Sequence, residues 1–258
     1  MFAWFRERRR RRIQRQPFPE AWRTHIAETF PSYSGWDASR RQRLEGLIQV
    51  FLAEKHIEGA AGFEMTDAVR VTVATNACRM ILNLSMDYFR EVETVLVYPG
   101  ELRRPNPLFG DRHLHGELEE VEVPLSGEAI HGGPVLLSWD AISGGALHPG
   151  DGLNVILHEL AHKIDMLTGD ANGLPPLRRA ADDKVWAEIC GREYRHLRRR
   201  LNRGLDTYFE DYAAEHPAEF FAVACEYFFE RPKEMKRKRP ALYGVFSGFF
   251  EQDPAAEE

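Results

Sequence analysis

The strongest constraint on how this chain folds comes from residues 151–169, DGLNVILHELAHKIDMLTG. Apolar residues recur in this stretch at intervals of three and four, which predicts a helix with one broad buried face. These positions are Leu153, Ile156, Leu157, Leu160, Ala161, Ile164 and Leu167. Asp151 is the predicted N-cap, and Gly169 is the residue type that ends helices in the left-handed conformation. The rest of the domain has to cover this helix.

Three polar residues interrupt the apolar pattern: His158, Glu159 and His162. Residues four apart lie one above the other on a helix, about 5–6 Å apart at Cβ, so the two imidazoles can bind one metal ion. Glu159 is offset around the helix, where it can reach a metal-bound water as a general base. This is the HExxH arrangement of zinc hydrolases. Two core histidines that only hydrogen-bond to neighbours are the less favoured interpretation, since charges on a buried face need partners.

A catalytic zinc site usually has three protein ligands and one open position, so a third ligand is expected downstream. Glu219 is favoured because it stands at the start of a predicted helix whose remaining face is apolar. Glu226 lies seven residues further along a similar direction, and periodicity alone does not exclude it. His196 and His216 are weaker alternatives. The residue pattern by itself therefore leaves the third ligand open.

Hydrophobic periodicity surrounds this helix with further helices and a few strands. Helices are predicted over residues 37–55, 66–84, 182–202 and 217–231, and strands over residues 93–98, 117–125 and 133–140. Residues 58–64 are predicted to be a turn. His113 and His115 are expected in a surface loop rather than as a metal-binding pair. The strand at 133–140, just before the metal helix, is a candidate edge to which an extended peptide could add.

Composition excludes several classes of protein. The chain has 258 residues, of which 43% are hydrophobic and 29% charged, as expected for a soluble domain with a substantial core. No apolar run approaches the roughly 18 residues of a membrane span. The three cysteines, Cys78, Cys190 and Cys225, are scattered and include no CxxC pair. This cysteine usage argues against a disulfide framework and predicts a cytoplasmic protein.

Charge is distributed unevenly along the chain. The first 15 residues hold seven Arg and one Glu, a net charge of +6. The net charge of the whole chain is −6, so residues 16–258 carry a net charge of −12. A basic segment on an acidic body is unlike a nucleic-acid-binding domain, so no direct nucleic-acid partner is expected. A solvated arm or frayed helix is favoured over binding to a membrane surface, nucleic acid or an acidic partner. The predicted division is a basic arm (1–16), a zinc metallopeptidase domain (17–254) and a disordered tail (255–258).

Two segments, HELAHKIDMLTGDANGLP and DTYFEDYAAEHPAEFFAVACEYFFERP, closely resemble the bacterial Mlc titration factor A family of zinc metallopeptidases, as do EGAAGFEMTDAVRVTVATNAC and ETVLVYPGEL. The resemblance spans about residues 17–254. It implies a cytoplasmic aminopeptidase acting on peptide substrates, with a fold similar to the catalytic domain of anthrax lethal factor. The expected fold class is α+β: a mostly helical, zincin-type domain with a small mixed sheet and an HExxH active-site helix. The enterobacterial member also binds the glucose repressor Mlc, which makes a transcriptional repressor a possible partner.

Carried over residue by residue, the resemblance makes His158, His162 and Glu219 the ligands of one zinc ion per chain and Glu159 the catalytic base. Tyr212, seven residues before the third ligand, becomes a candidate to stabilise the oxyanion. Asp165, one turn after His162, is a candidate to orient a ligand or is simply a carboxylate on the helix surface. The alternative function is a non-catalytic regulator that sequesters a repressor and holds a structural zinc. The presence of Glu159 disfavours it, because a structural site has no use for a base.

Overall fold

Helices make up most of the structure, a computed structural model that describes residues 2–105, 122–146 and 150–256. In chain order they are α1 (Phe2–Gln14), α2 (Glu20–Thr29), α3 (Ser32–Gly35), α4 (Ala38–Glu54), α5 (Asp67–Met80), α6 (Trp139–Ala141), α7 (Val155–Asp165), α8 (Ala180–Leu201), α9 (Pro217–Glu230), α10 (Pro232–Lys238) and α11 (Pro240–Phe250). All four helices predicted around the metal helix are therefore confirmed, as α4, α5, α8 and α9.

The ends of these helices follow capping chemistry that is visible in the sequence. The Asp37 carboxylate accepts a hydrogen bond from the Arg40 amide at the start of α4, and Thr66 caps α5 in the same way. Pro217 occupies the first turn of α9, where its missing N–H costs no hydrogen bond. Helix α5 ends at Met80, a few residues earlier than the sequence predicts.

The described strands form two small sheets. They are β1 (His56–Gly59), β2 (Thr94–Tyr98), β3 (Leu102–Pro105), β4 (Glu122–Leu125), β5 (Gly127–Ala129) and β6 (Val135–Ser138). The larger sheet has the order β1-β2-β6-β5, in which β1, β2 and β6 are parallel and β5 is antiparallel to β6. Strands β3 and β4 form a separate antiparallel pair. The result is the expected α+β architecture with a small mixed sheet.

The strand predictions are confirmed in part. Strands β2 and β6 lie where the sequence places them, and β4 is the described end of the predicted strand at 117–125. The start of the predicted turn at 58–64 instead belongs to β1. Strand β6 lies between β2 and β5, so the prediction that it is an edge strand is wrong. Among the described strands of this sheet, the edge next to β6 is formed by β5. His113 and His115 lie outside the described residues.

Helix α7 lies at the centre of the domain. It packs against α9, α5 and β5, and Ile156, Leu157, Leu160 and Ile164 are almost completely buried. Burial on several sides explains why so many of its residues are apolar. The same packing brings the polar residues of α7 against α9 and β5.

The basic N-terminal segment is a docked helix rather than a solvated arm. Helix α1 packs along α4, and only 8% of Arg10 is exposed. The Arg10 guanidinium donates to both carboxylate oxygens of Glu54 and to Asp87. The expectation of a solvated segment is therefore wrong for this face, because carboxylates distant in sequence bind its arginines.

The C-terminal residues are ordered as far as Ala256. Residues Pro254–Ala256 form a 3-10 turn, and the buried Gln252 side chain donates to the carbonyls of Arg79 and Met80. The expectation of disorder is therefore wrong for residues 255 and 256, while 257 and 258 lie outside the described part. The domain boundaries at 16 and 254 stay a prediction. None of the described helices is long and apolar enough to cross a bilayer.

Candidate metal centre

The metal helix begins three residues later than the sequence predicts. Asn154 is its N-cap and accepts a hydrogen bond from the Leu157 amide, whereas Asp151 caps only a local turn through the Leu153 amide. Gly152 has a φ of +92°, a conformation that favours glycine, and this turn separates Asp151 from the helix. Leu153 is 47% exposed and is not part of the buried face, which corrects the predicted pattern.

The structure brings three of the predicted site residues to one point. His158 Nε2 lies 3.1 Å from Glu219 Oε2, His162 Nε2 lies 3.2 Å from the same oxygen, and the two Nε2 atoms are 3.2 Å apart. The histidines come from one face of α7, and Glu219 comes from the first turn of α9. Among the described residues, these three are the histidine, cysteine or carboxylate side chains whose donor atoms lie close enough together to hold one metal ion.

These distances fit a tetrahedral zinc ion. With zinc–ligand bonds of about 2.0–2.2 Å, neighbouring ligand atoms of a tetrahedron lie about 3.3–3.6 Å apart. The three observed separations of 3.1–3.2 Å lie just below the short end of that range. Two imidazole nitrogens and one carboxylate oxygen also match the His₂Glu donor set of catalytic zinc sites.

Glu226, the alternative third ligand, lies behind His158. Its Oε1 is 2.8 Å from His158 Nδ1, and its other oxygen accepts a hydrogen bond from the Asn154 backbone amide. A carboxylate at Nδ1 fixes the imidazole ring and leaves Nε2 free to bind a metal. Burial opposes a charged imidazole, but the hydrogen bonds to Glu219 and Glu226 outweigh it and raise the pKa of His158.

The imidazoles of His158 and His162 lower the pKa of Glu219. Burial would raise the pKa of its carboxyl, but hydrogen bonds to His158 and His162 hold that pKa well below its ordinary value. Glu219 therefore stays ionised, as a metal ligand must be.

Glu159 lies beneath the edge strand β5. It is 5% exposed, and desolvation raises the pKa of its carboxyl despite the nearby histidines. Gly127 of β5 lies directly over it: a Cβ at position 127 would be 2.8 Å from Glu159 Cγ and Oε1. Only glycine allows the strand to approach this carboxylate so closely.

Comparison with known proteins assigns the chain to a family. The family described as Glucose-regulated metallo-peptidase M90 matches residues 4–251, nearly the whole chain. The chain belongs to this family. An uncharacterized protein of Synechocystis is 34% identical over 247 residues, which cover 95% of this chain and 89% of the relative. Mlc titration factor A of Salmonella schwarzengrund and of Salmonella typhimurium are each 31% identical over 241 residues, covering 92% of this chain and 88% of the relative.

Membership in the M90 family supports a metallopeptidase and implies a bound metal. The group formed by His158, His162 and Glu219 is a site that can hold one. The resemblance to the Mlc titration factor A family is confirmed by the same comparisons. The roles of the individual residues stay predictions.

The sequence analysis did not identify a buried hydrogen-bond network that lies next to Glu226 in this M90 site. Asn154 donates from its side chain to Asn76 and Glu230, and Glu230 pairs with Arg79. All four side chains are buried, and this network joins α5, α7 and α9 directly beneath Glu226. Burying so many polar groups is tolerated because most of them hydrogen-bond to one another; Arg79 Nε is the member without a described partner.

Lys163 was also missed, because a lysine on a helix is usually assigned to solvent. It is 1% exposed, and its ammonium donates to the backbone carbonyls of Ile130 and Gly133 at 2.6 and 2.7 Å. Both carbonyls belong to the turn between β5 and β6. Lys163 therefore ties this hairpin, and with it Gly127, to the metal helix.

The remaining predicted residues divide between the site and the scaffold. The ring of Tyr212 lies 6.0 Å from that of His158; the residue is 44% exposed, and partial desolvation together with the charge of Glu219 raises the pKa of its phenol. Asp165 accepts a hydrogen bond from the Gly173 amide at 2.7 Å, which is a scaffold contact. His216 caps α9, and His196 lies on α8; neither belongs to the three-residue group.

Proposed function

We propose that this M90 protein is a zinc-dependent peptidase, with His158, His162 and Glu219 as the ligands of one zinc ion per chain. The observation that carries the proposal is the convergence of their three donor atoms at 3.1–3.2 Å. Zinc is favoured over other metals because two imidazoles and a carboxylate in a three-ligand set match its catalytic sites. A bound zinc ion supplies a Lewis acid that makes water reactive near neutral pH and polarises the scissile carbonyl.

The residues around the ligands supply the proton transfers. Glu159 takes a proton from the attacking water and gives it to the leaving amine. Its burial beneath Gly127 keeps bulk water away from the carboxylate. The Tyr212 hydroxyl donates to the oxyanion of the tetrahedral intermediate. Glu226 holds the His158 ring in the orientation that leaves Nε2 toward the ion.

In this proposal, the peptide substrate binds along the edge of β5 that has no partner among the described strands. Strand β5 is the described edge of the larger sheet, and its Gly127 lies over Glu159. An extended peptide that adds to this edge would pass beside the base and the metal ligands. The antiparallel edge strand beside the metal helix supports a zincin-type domain.

Aminopeptidase specificity and a cytoplasmic location complete the proposal. Aminopeptidase activity rests on the family resemblance, and the location also rests on the three free thiols at Cys78, Cys190 and Cys225. Comparing aminoacyl, N-blocked and longer peptide substrates tests the specificity. Preference for a free amino terminus is the expected result, and equal cleavage of blocked peptides would indicate an endopeptidase.

Metal dependence and the role of Glu159 are tested together. Chelator should abolish hydrolysis by the purified protein, and added zinc should restore it. Glu159→Gln should keep its zinc but lose at least about a hundredfold in kcat. Glu188→Gln, the same change at an exposed position of α8, is the matched control and should leave kcat unchanged. Full activity of the zinc-free protein would contradict the proposal, and loss of zinc from Glu159→Gln would contradict the role of base.

Binding of a transcriptional repressor is the second candidate function. It follows from the name that the Salmonella relatives carry, Mlc titration factor A. If the chain is a regulator with a structural zinc, the purified protein should bind zinc and the repressor yet cleave no peptide. If both functions coexist, Glu159→Gln should still bind the repressor while hydrolysis is lost.

A further inference from the structure

Helix α1 has two different faces. Successive residues of an α-helix are rotated by about 100°, which places Arg11, Trp4, Arg8, Arg12 and Phe5 within a sector of about 120°. Arg15 follows in the turn directly after the last helical residue, Gln14, and is counted with this set. The opposite side carries Arg6, Arg9, Arg10 and Ile13. We refer to the first set as the arginine-aromatic face and to the second as the docked face.

The docked face is fixed to the acidic body of the protein. Arg10 binds Glu54 and Asp87, and Arg6 also pairs with Asp87 at 3.0 Å. Arg9 donates to the carbonyl of Ala53, and Ile13 packs against the core. These contacts hold α1 in one orientation, so its opposite face is presented to solvent as a fixed surface.

The arginine-aromatic face carries positive charge that the protein itself does not neutralise. Arg8, Arg11, Arg12 and Arg15 are exposed, and none has a carboxylate partner within the described part of the chain. Beside them, Trp4 and Phe5 are 59% and 56% exposed, the highest values among the large hydrophobic side chains described. Their rings are in edge contact at 5.0 Å, and the Arg8 guanidinium lies over Trp4 at 5.4 Å.

We propose that the arginine-aromatic face of α1 binds an anionic lipid bilayer. Three guanidiniums on a helix about 20 Å long and a fourth directly after it, none with a described carboxylate partner, complement a surface of lipid phosphates. Trp4 and Phe5 can enter the boundary between headgroups and acyl chains, where exposed aromatic rings are stabilised. This inference does not rest on the proposed peptidase function.

Two features favour a bilayer over a nucleic acid or an acidic protein. The face is the convex outer side of a helix, which suits a flat, deformable surface better than a single strand or peptide that needs a groove. Trp4 and Phe5 are the second feature, because a bilayer buries exposed aromatic rings at its headgroup boundary. The rest of the chain carries −12, so a negative surface attracts the arginine-aromatic face and repels most of the remaining surface, which orients the protein.

The experiment uses the whole 258-residue chain as purified and vesicles of two compositions. Phosphatidylcholine alone is compared with a 3:1 mixture of phosphatidylcholine and phosphatidylglycerol, by flotation at about 0.05 M and 0.5 M salt. Binding to the mixed vesicles at low salt, weaker binding at high salt and none to neutral vesicles are expected. The fourfold variant Arg8→Gln, Arg11→Gln, Arg12→Gln, Arg15→Gln should bind at least about tenfold more weakly.

The matched control removes four exposed arginines elsewhere: Arg195→Gln, Arg198→Gln, Arg199→Gln and Arg203→Gln. The change in net charge is identical, so this variant should bind within about twofold of the unchanged protein if the face on α1 is the contact. Trp4→Ala with Phe5→Ala should also weaken binding and remove the change in tryptophan fluorescence that we expect on adding vesicles to the unchanged protein. Both α1 variants keep the docked face, and circular dichroism checks that they stay folded.

Three results would overturn the proposal. The first is equal binding by the fourfold α1 variant and the unchanged protein. The second is an equal loss in the control variant, which would show that total charge alone decides binding. The third is tighter binding through the same residues to a single-stranded oligonucleotide or a polyglutamate peptide than to mixed vesicles, which would assign the face to a nucleic acid or an acidic protein.

Discussion

Glu226 and His158 form a hydrogen-bonded pair, with 2.8 Å between Oε1 and Nδ1. The pair leaves the other nitrogen of the ring, Nε2, facing Glu219. Two glutamates seven residues apart on α9 thus meet opposite sides of one imidazole. Spacing alone cannot distinguish their roles, but the atoms that they contact can.

The first prediction separates these two glutamates. Glu219→Ala should remove a metal ligand and leave the purified protein with little zinc. Glu226→Ala should keep zinc at high concentration but weaken its affinity by about 10–100-fold, as expected for a residue that orients a ligand. Zinc titration with a competing chelator measures both. Glu226→Gln is the matched control: its amide oxygen can still accept from Nδ1, but its NH2 group then faces the Asn154 amide, so it should restore part of the affinity. If Glu226→Ala contains no zinc while Glu219→Ala still binds it, Glu226 rather than Glu219 is the third ligand.

The second prediction concerns Lys163 as a positioning residue. Lys163→Met should loosen the β5–β6 hairpin over Glu159 and lower kcat/KM about tenfold, since two charge-assisted hydrogen bonds are lost. Zinc content should stay the same. Hydrogen exchange of the amides in residues 127–134 should become faster, which reports the loosening directly.

Lys55 provides the control for this change. Its partly buried ammonium also donates to a backbone carbonyl, that of Phe89, at 2.6 Å, but its contact is with a 3-10 turn outside the group of metal ligands. Lys55→Met should therefore leave kcat/KM unchanged at a temperature where both variants are folded. If the two variants lose activity equally, Lys163 has only a general structural role.

The third prediction tests Tyr212 as the oxyanion donor. Tyr212→Phe should lower kcat by about 100–1,000-fold with little effect on KM, since the contact forms only in the transition state. Tyr208→Phe is the same chemical change four residues earlier. The Tyr208 hydroxyl is buried and has no hydrogen-bond partner among the described residues, so its removal should leave kcat unchanged. A normal kcat for Tyr212→Phe would remove this residue from the mechanism.

Much of the helical scaffold is predictable because its signals are local. Asp37 and Thr66 cap their helices through amides three residues away, and Pro217 begins α9. His158 and His162 share a helix face by spacing alone. Their meeting with Glu219, 57 positions after His162, is a tertiary contact; its position at the start of the predicted helix and the family resemblance both favour this residue over Glu226.

The remaining features depend on partners that are distant in sequence. Strand β1 is four residues long and exists through its parallel pairing with β2, which no local pattern encodes. Arg10 is buried because Glu54 and Asp87 come to it from other elements. Lys163 is buried because two carbonyls of a hairpin turn accept its protons. In each case the polar pattern predicts solvent, and a long-range hydrogen bond overrides it.

The most direct test of the metal centre is a crystal structure of the zinc-loaded protein with anomalous diffraction measured on both sides of the zinc absorption edge. We expect one anomalous peak per chain, about 2.0–2.2 Å from His158 Nε2, His162 Nε2 and an oxygen of Glu219, and no contact to Glu226. A fully loaded protein whose zinc peak lies elsewhere, or is bound by Glu226 in place of Glu219, would contradict the account.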